Sequence, residues 1–279
     1  MKKILVIICI CILLQTFFIP PMFADSIESS IDINKTIQAN QENSIIRKDY
    51  LHNFYKIPME AGRQLFYPDK RELKRNATFI GLLLGTLYFD QIIRDYSQEK
   101  IYDGDNTLSI ILYNIGTPDV ALASFISSYG LSKLTQNRYL EDTVLISFQS
   151  LLLTQVSTEL IKNTVKRTRP RNSPHNPFKR TKGEQSFISG HASGTWTVAT
   201  IIAERYPQTK WFSYGLATAV AAARIYEDAH WASDVLAGSI VGYGFGQLTI
   251  KLNKSEDKSF VLQPLLSDNG TGAMLSFSF

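Results

Sequence analysis

Between Ala77 and Leu252 the chain alternates apolar blocks with polar loops, and this alternation limits what it can fold into more than any other feature. Blocks at Ala77–Phe89, Leu108–Ile115, Val120–Leu131, Thr143–Ile161, Gly194–Tyr206, Trp211–Arg224 and Asp234–Leu252 carry a helical pattern. They predict an all-α fold, a helical bundle over residues 58–254. Apart from the segment that carries Ser189 and His191, the uncharged runs reach about 13 to 16 residues, short of the roughly 18 to 20 that cross a bilayer. Buried helices of a soluble bundle fit that length. A multi-pass lipid enzyme with short, polar-interrupted spans is the competing expectation.

The two ends read differently. Met1-Lys2-Lys3, an apolar run from Ile4 to Ile19 and the small residue Ala24 are the three regions of a secretory signal peptide, so residues 1–24 are expected to direct export to the periplasm or cell envelope. Residues 25–57, rich in Ser, Asn, Gln and charge without a sustained period, are expected to form a flexible arm. At the other end, Phe260–Leu266, the turn-forming Ser-Asp-Asn-Gly-Thr-Gly at 267–272 and the alternating Ala273–Phe279 predict a short β-hairpin within a tail over 255–279.

Composition excludes some chemistry. Both cysteines, Cys9 and Cys11, lie in the leader, so a mature chain would have neither disulfide nor thiolate. Without Lys2 and Lys3 the 29 basic residues fall nearly level with 25 acidic ones. That balance argues against a nucleic-acid partner.

Three stretches concentrate the unusual residues. The first, Lys162-Asn-Thr-Val-Lys-Arg-Thr-Arg169-Pro170, closes an apolar block, and a step of seven residues from Lys162 to Arg169 would put both cations on one helical face before Pro170 ends the helix. A guanidinium and an ammonium are the side chains that bind phosphate oxygens. By itself this is also how a solvated basic helix end looks. The second, Ser189-Gly190-His191, reads as an N-cap and first turn whose amides and dipole can receive an anion, with His191 placed to protonate a departing oxygen. A capped helix with a packed histidine reads the same way. In the third, Arg224 precedes His230 and Asp234, which share a face if the segment is helical, so that a carboxylate can orient an imidazole. A surface ion pair has the same spacing.

Together the stretches resemble the three signature motifs of the type 2 phosphatidic acid phosphatase and vanadium haloperoxidase superfamily: Lys-x6-Arg-Pro, Pro-Ser-Gly-His and Ser-Arg-x5-His-x3-Asp. The resemblance is close from Lys162 to Asp234. Ile188 stands where the second motif has Pro, and Ala223 where the third has Ser. Neither departure removes a charge or a proton carrier.

The resemblance implies a phosphatase in which His230 attacks phosphorus to form a phosphohistidine, Asp234 fixes the tautomer of His230, and His191 protonates the leaving group and then activates water. Lys162, Arg169 and Arg224, with Ser189 and the Gly190 amide, would neutralise the phosphate oxygens. No metal or other cofactor is implied, and vanadate is expected to inhibit. The expected partner is a phosphorylated lipid such as lipid A, undecaprenyl pyrophosphate or phosphatidate, with membrane association left open. The alternatives are a soluble periplasmic acid phosphatase acting on small phosphoesters, a vanadate-dependent haloperoxidase and a non-catalytic envelope protein. The apolar helices and the amphipathic loop Arg171–Gln185 are candidates to cradle an acyl chain, and core packing accounts for the same residues at least as well. His52 and His175 are expected in solvent.

Overall fold

The computed structural model of the chain describes residues 50–104, 107–180, 183 and 185–253, together with the backbone of 260–267 and 270–277. The signal peptide expected at 1–24 and residues 25–49 of the expected arm lie outside the described residues.

Each apolar block becomes a helix that extends a few residues into its polar flanks. The helices are α1 (Asn53–Phe66), α2 (Lys70–Tyr96, continued by a π-turn at Ser97–Ile101), α3 (Thr107–Ile115), α4 (Pro118–Leu134), α5 (Arg138–Val165), α6 (Gly190–Arg205), α7 (Lys210–Tyr226) and α8 (Ala232–Asn253). The flanks supply the caps. Asp69 accepts from the Glu72 amide at 2.7 Å while Glu72 accepts from the Asp69 amide at 2.9 Å, a capping box worth about 1 kcal/mol that starts α2 seven residues before its apolar block. The arm expected to end at 57 is shorter than its composition suggests, because α1 begins at Asn53 and Ile57 is fully buried against Phe245 and Leu248. Pro58, a residue that normally breaks a helix interior, obscures the start of that helix in the sequence.

The helix that carries Ser189-Gly190-His191, α6, is the centre of the bundle and packs against α5, α7 and α8. Its contact with α8 is close because Gly238, Gly242 and Gly246 recur every fourth residue and face it. A Cβ on Gly242 would lie 2.2 Å from the Ser193 carbonyl oxygen, and one on Gly238 would lie 2.5 Å from that of Ser189. Hydroxyls line the interior around this seam: Thr158 with Ser193 at 3.0 Å, Thr154 with Thr197 at 3.0 Å, and Thr249 with Ser150 at 2.9 Å.

The outside is the apolar side. Leu82, Leu84, Tyr88 and Ile92 on α2, Leu122 and Ile126 on α4, and Val156 and Leu160 on α5 are all exposed. Three helical stretches, Lys70–Ile101, Arg138–Val165 and Ala232–Asn253, are long and apolar enough to cross a membrane, and α3 with α4, bent by 57°, would make a fourth as a broken span. This favours the competing expectation of a membrane-associated bundle over the soluble one. Counting uncharged runs penalises a charge near a helix end, where a long side chain reaches the interface, and it ignores which face the apolar residues occupy. Strands β1 (Phe260–Ser267) and β2 (Gly270–Phe277) pair antiparallel, with Phe260 opposite Phe277 and Ser267 opposite Gly270.

Candidate active site

At one end of the bundle the structure brings together the C-terminus of α5, the N-terminus of α6, the end of α7 and the turn before α8, and with them all three motifs. Ser189 is the N-cap of α6 and is fully buried; its hydroxyl accepts from the Ala192 amide at 3.4 Å and its own amide donates to the Asp234 carbonyl at 3.0 Å. Gly190 follows in the first turn. A Cβ there would lie 3.5 Å from Lys162 Nζ, which places that ammonium over the start of α6, where it also pairs with Glu159 Oε1 at 2.8 Å.

Two local geometries differ from the sequence expectation. The helix carrying Lys162 ends at Val165, where Lys166 takes a left-handed conformation (φ 56°), so Arg169 projects from an extended segment beyond it and not from the same helical face. Arg169 Nη1 donates to the Ala229 carbonyl at 3.3 Å, beside His230. His230 itself is not helical: it lies in the turn before α8, whose first turn holds Asp234. Asp234 Oδ2 accepts from the Trp231 amide at 2.9 Å, as a residue three past an N-cap does, and this fixes the entry into the helix.

The imidazole of His230 is buried, and its Nδ1 lies 2.8 Å from the Ser186 carbonyl but 3.8 Å from Asp234 Oδ2. A carbonyl only accepts, so Nδ1 carries the hydrogen and Nε2 the lone pair. The tautomer assigned to Asp234 is therefore set by Ser186, and Asp234 acts on His230 through its charge. Burial pushes His230 down to about 4, with Arg169 and Arg224 in the same direction and Asp234 against them, so the ring is neutral at pH 7.

His191 is pushed down to about 3 by burial and then by Arg224, His230 and Lys162. Side chains from four segments thus act on one another's charge. The Nε2 of His191 is buried without a hydrogen-bond partner, and the ring stacks on Tyr113 with centroids 4.9 Å apart. The guanidinium of Arg224 lies over the other side of this arrangement, 4.9 Å from the same Tyr113 ring, and pairs with Glu227. Ile188 and Ala223, the two departures from the motifs, are both buried hydrophobics. His52 and His175 are exposed, as expected.

The PAP2 superfamily matches residues 143–257, a stretch that contains all three motifs. Over this stretch, less than half of its length, the chain is similar to the PAP2 superfamily. Its fold is similar to the crystal structure of the first transmembrane PAP2 type phosphatidylglycerolphosphate phosphatase from Bacillus subtilis, with 16% identity, a TM-score of 0.51 and coverage of 64% of this chain and 95% of that one. At that identity the likeness is one of fold. A comparison with curated proteins finds no match. Family and fold together support a phosphatase.

Beside the PAP2 motifs stand residues that sequence reasoning missed. Arg167 and Asp90 are buried together against Asp234, Ser186 holds His230, and Tyr113 backs His191. Asp90 had a signal: it is an acid that closes the apolar block of α2, an arrangement that is costly unless partnered. Arg167 had none, since a second arginine in a basic run looks like any solvated charge.

A cavity of about 740 Å³ opens from this end into the bundle. Lys162, Gly190 and His191 are at its mouth, and Val120, Phe125, Phe148, Leu151, Val198 and Leu216 line its length between α4, α5, α6 and α7. None of the described residues of Arg171–Gln185 lines it, which corrects the loop's expected part in holding an acyl chain: helices, not the loop, make the apolar enclosure.

Proposed function

We propose that the chain is a membrane-associated phosphatase of envelope lipids, acting on phosphomonoesters or pyrophosphates on the exported side through a phosphohistidine at His230. The apolar cavity that begins at the phosphate cradle carries the lipid part of this reading: a site for small esters alone needs no apolar space of this size behind it. Exposed apolar side chains on α2, α4 and α5 support the membrane part.

The chemistry follows from the geometry. Neutral His230, its Nδ1–H held by Ser186, directs the Nε2 lone pair at phosphorus; the N–P bond forms as the P–O bond to the leaving group breaks. Lys162, Arg169, Arg224 and the amides at the start of α6 take the charge of the three remaining oxygens. His191 gives its proton to the departing oxygen. Burial, Arg224, His230 and Lys162 hold the His191 proton off, and a phosphate dianion bound between Lys162 and Arg224 would cancel two of those charges. Water then attacks phosphorus, His191 takes a proton from it, the N–P bond breaks, and inorganic phosphate leaves.

The test is phosphate release from long-chain phosphatidate, an undecaprenyl pyrophosphate and para-nitrophenyl phosphate, in detergent and without it. Preference for the long-chain lipids, lost on filling the cavity by Val198→Trp, is expected. Equal turnover of the small ester in both proteins, with no preference for lipid, would leave a small-ester phosphatase.

A further inference from the structure

We propose that Arg167, clamped between Asp90 and Asp234, is a positioning residue for the nucleophile: it sets how much of the Asp234 charge His230 feels, and Asp90 sets the position of Arg167.

The proposal rests on the phosphatase reading of His230. Arg167 is 5% exposed and comes from the extended segment after α5, two residues before Arg169. Its Nη1 donates to Asp234 Oδ1 at 2.7 Å and to Ser233 Oγ at 2.7 Å, its Nη2 donates to Asp90 Oδ2 at 2.7 Å, and its Nε donates to the Pro177 carbonyl at 2.6 Å. The face of the guanidinium lies 5.3 Å from the Trp231 ring. Asp90, fully buried near the end of α2, also accepts from the Ser233 amide at 2.8 Å and from the Ser233 hydroxyl at 2.5 Å.

Every side-chain nitrogen and oxygen of Arg167, Asp90 and Asp234 therefore has at least one partner, and three buried charges sum to one negative. A buried carboxylate pair with one arginine is costly to assemble, and removing one member leaves an uncompensated charge, so such a group persists where it does more than hold helices together. Its position indicates what that is. Asp234 has two oxygens: one is neutralised by Arg167, the other touches the Trp231 amide and faces His230 Nδ1 at 3.8 Å. If the full charge of Asp234 acted on His230, it would favour the imidazolium, which has no lone pair to attack with. Arg167 withdraws part of that field while keeping the carboxylate oriented. Asp90 keeps Arg167 from sliding onto Asp234 entirely, and it ties α2 to the turn that carries the nucleophile.

The charged and titratable groups around His230 are Asp234 on α8, Arg224 on α7, His191 on α6, Arg169 and Arg167 from the segment after α5, and Asp90 on α2. Of these, Arg167 alone contacts both carboxylates. Its removal and its conservative replacement therefore act differently on the midpoint. Arg167→Gln leaves Asp234 unscreened and raises the protonation midpoint of His230; Arg167→Lys keeps the charge and leaves the midpoint near its place while disturbing the geometry.

The experiment is a histidine-ring NMR titration of the full-length chain in detergent micelles, run beside kcat and KM for dioctanoyl phosphatidate. For Arg167→Gln we expect the His230 midpoint to rise by about one unit, a differential interaction of about 1.4 kcal/mol, with kcat lowered on the order of 10- to 100-fold and KM little changed. Arg167→Lys should recover most of the kcat, and the isosteric Asp90→Asn should lower kcat without raising the midpoint. An unmoved midpoint in Arg167→Gln, or an equal rise in Arg167→Lys, would leave Arg167 as a structural clamp only and overturn the proposal. Because the titration needs no turnover, it reads the clamp even if wild-type protein proves not to hydrolyse phosphate, and the two failures stay separate.

Discussion

The motif end of the molecule and the body of its bundle are built on opposite rules. At the motif end, charged and titratable side chains are buried or half-buried and several are held by a named partner: Arg167 by two carboxylates, His230 by the Ser186 carbonyl, Lys162 by Glu159. In the body the α6–α8 contact is a seam of glycines and hydroxyls, small apolar clusters such as Ile57 with Phe245 and Leu248 pack beside it, and many large apolar side chains point outward. The difference teaches that specific polar contacts set the chemistry, whereas close backbone approach of α6 and α8 sets where that chemistry sits. In the proposed lipid setting a bundle gains little from putting leucines inside, which suits packing by small residues that let helices approach.

The comparison breaks most sharply at the nucleophile. His230→Ala should lower turnover by on the order of 10⁴-fold or more while helical content measured by circular dichroism stays at the wild-type value. An unfolded variant would mean that the motif end is also a foundation of the fold. The body should answer in the opposite way. Gly242→Ala puts a Cβ 2.2 Å from the Ser193 carbonyl oxygen, so α6 and α8 must part. Overpacking of this kind costs about 1–3 kcal/mol. Thermal unfolding in detergent should show it, with loss of activity following the loss of stability.

A smaller effect separates the two regions by pH. His230 and His191 are held down to about 4 and about 3, below the ordinary histidine value. The unfolded chain therefore binds their protons first as pH falls through about 6.5, and stability declines from there toward the folded values. Activity that requires neutral His230 should hold on the acid side toward about pH 4 for as long as the fold survives that loss of stability. His191→Ala should flatten the fall in stability between about pH 6.5 and 4, as measured by urea unfolding at a series of pH values. At the small end of the scale, a chelator should leave phosphate release unchanged and His175→Ala should do the same, while orthovanadate inhibits.

What was legible in the sequence follows the same division. Lys162, Arg169, Ser189, Gly190, His191, Arg224, His230 and Asp234 are readable because phosphate chemistry demands particular side chains at fixed spacings, and the structure assembles them at one end of the bundle. Their local geometry was not readable. Lys166 ends α5 four residues before Pro170 through a left-handed backbone that residue identity does not announce, and Asp234 caps α8 in place of holding the imidazole. The partners Asp90, Ser186 and Tyr113 lie far apart in the chain and meet the motifs only through tertiary packing. The body misled for a simpler reason. Its helices follow the apolar blocks closely, but a periodicity test reports that a helix has an apolar face without saying whether that face meets protein or lipid. The seam Gly238-Gly242-Gly246 was visible as a glycine-rich helix, and its meaning depended on knowing that Ser189, Ser193 and Thr197 pack against it.

The central claim is the covalent step at His230. Rapid acid-free quenching of full-length protein with ³²P-labelled phosphatidate, followed by peptide mapping, tests it directly. The account predicts a label that is stable to base, labile to acid, located on the peptide carrying His230 and absent from His230→Ala. Efficient turnover with no label on that peptide, or a label that persists in His230→Ala, would contradict it.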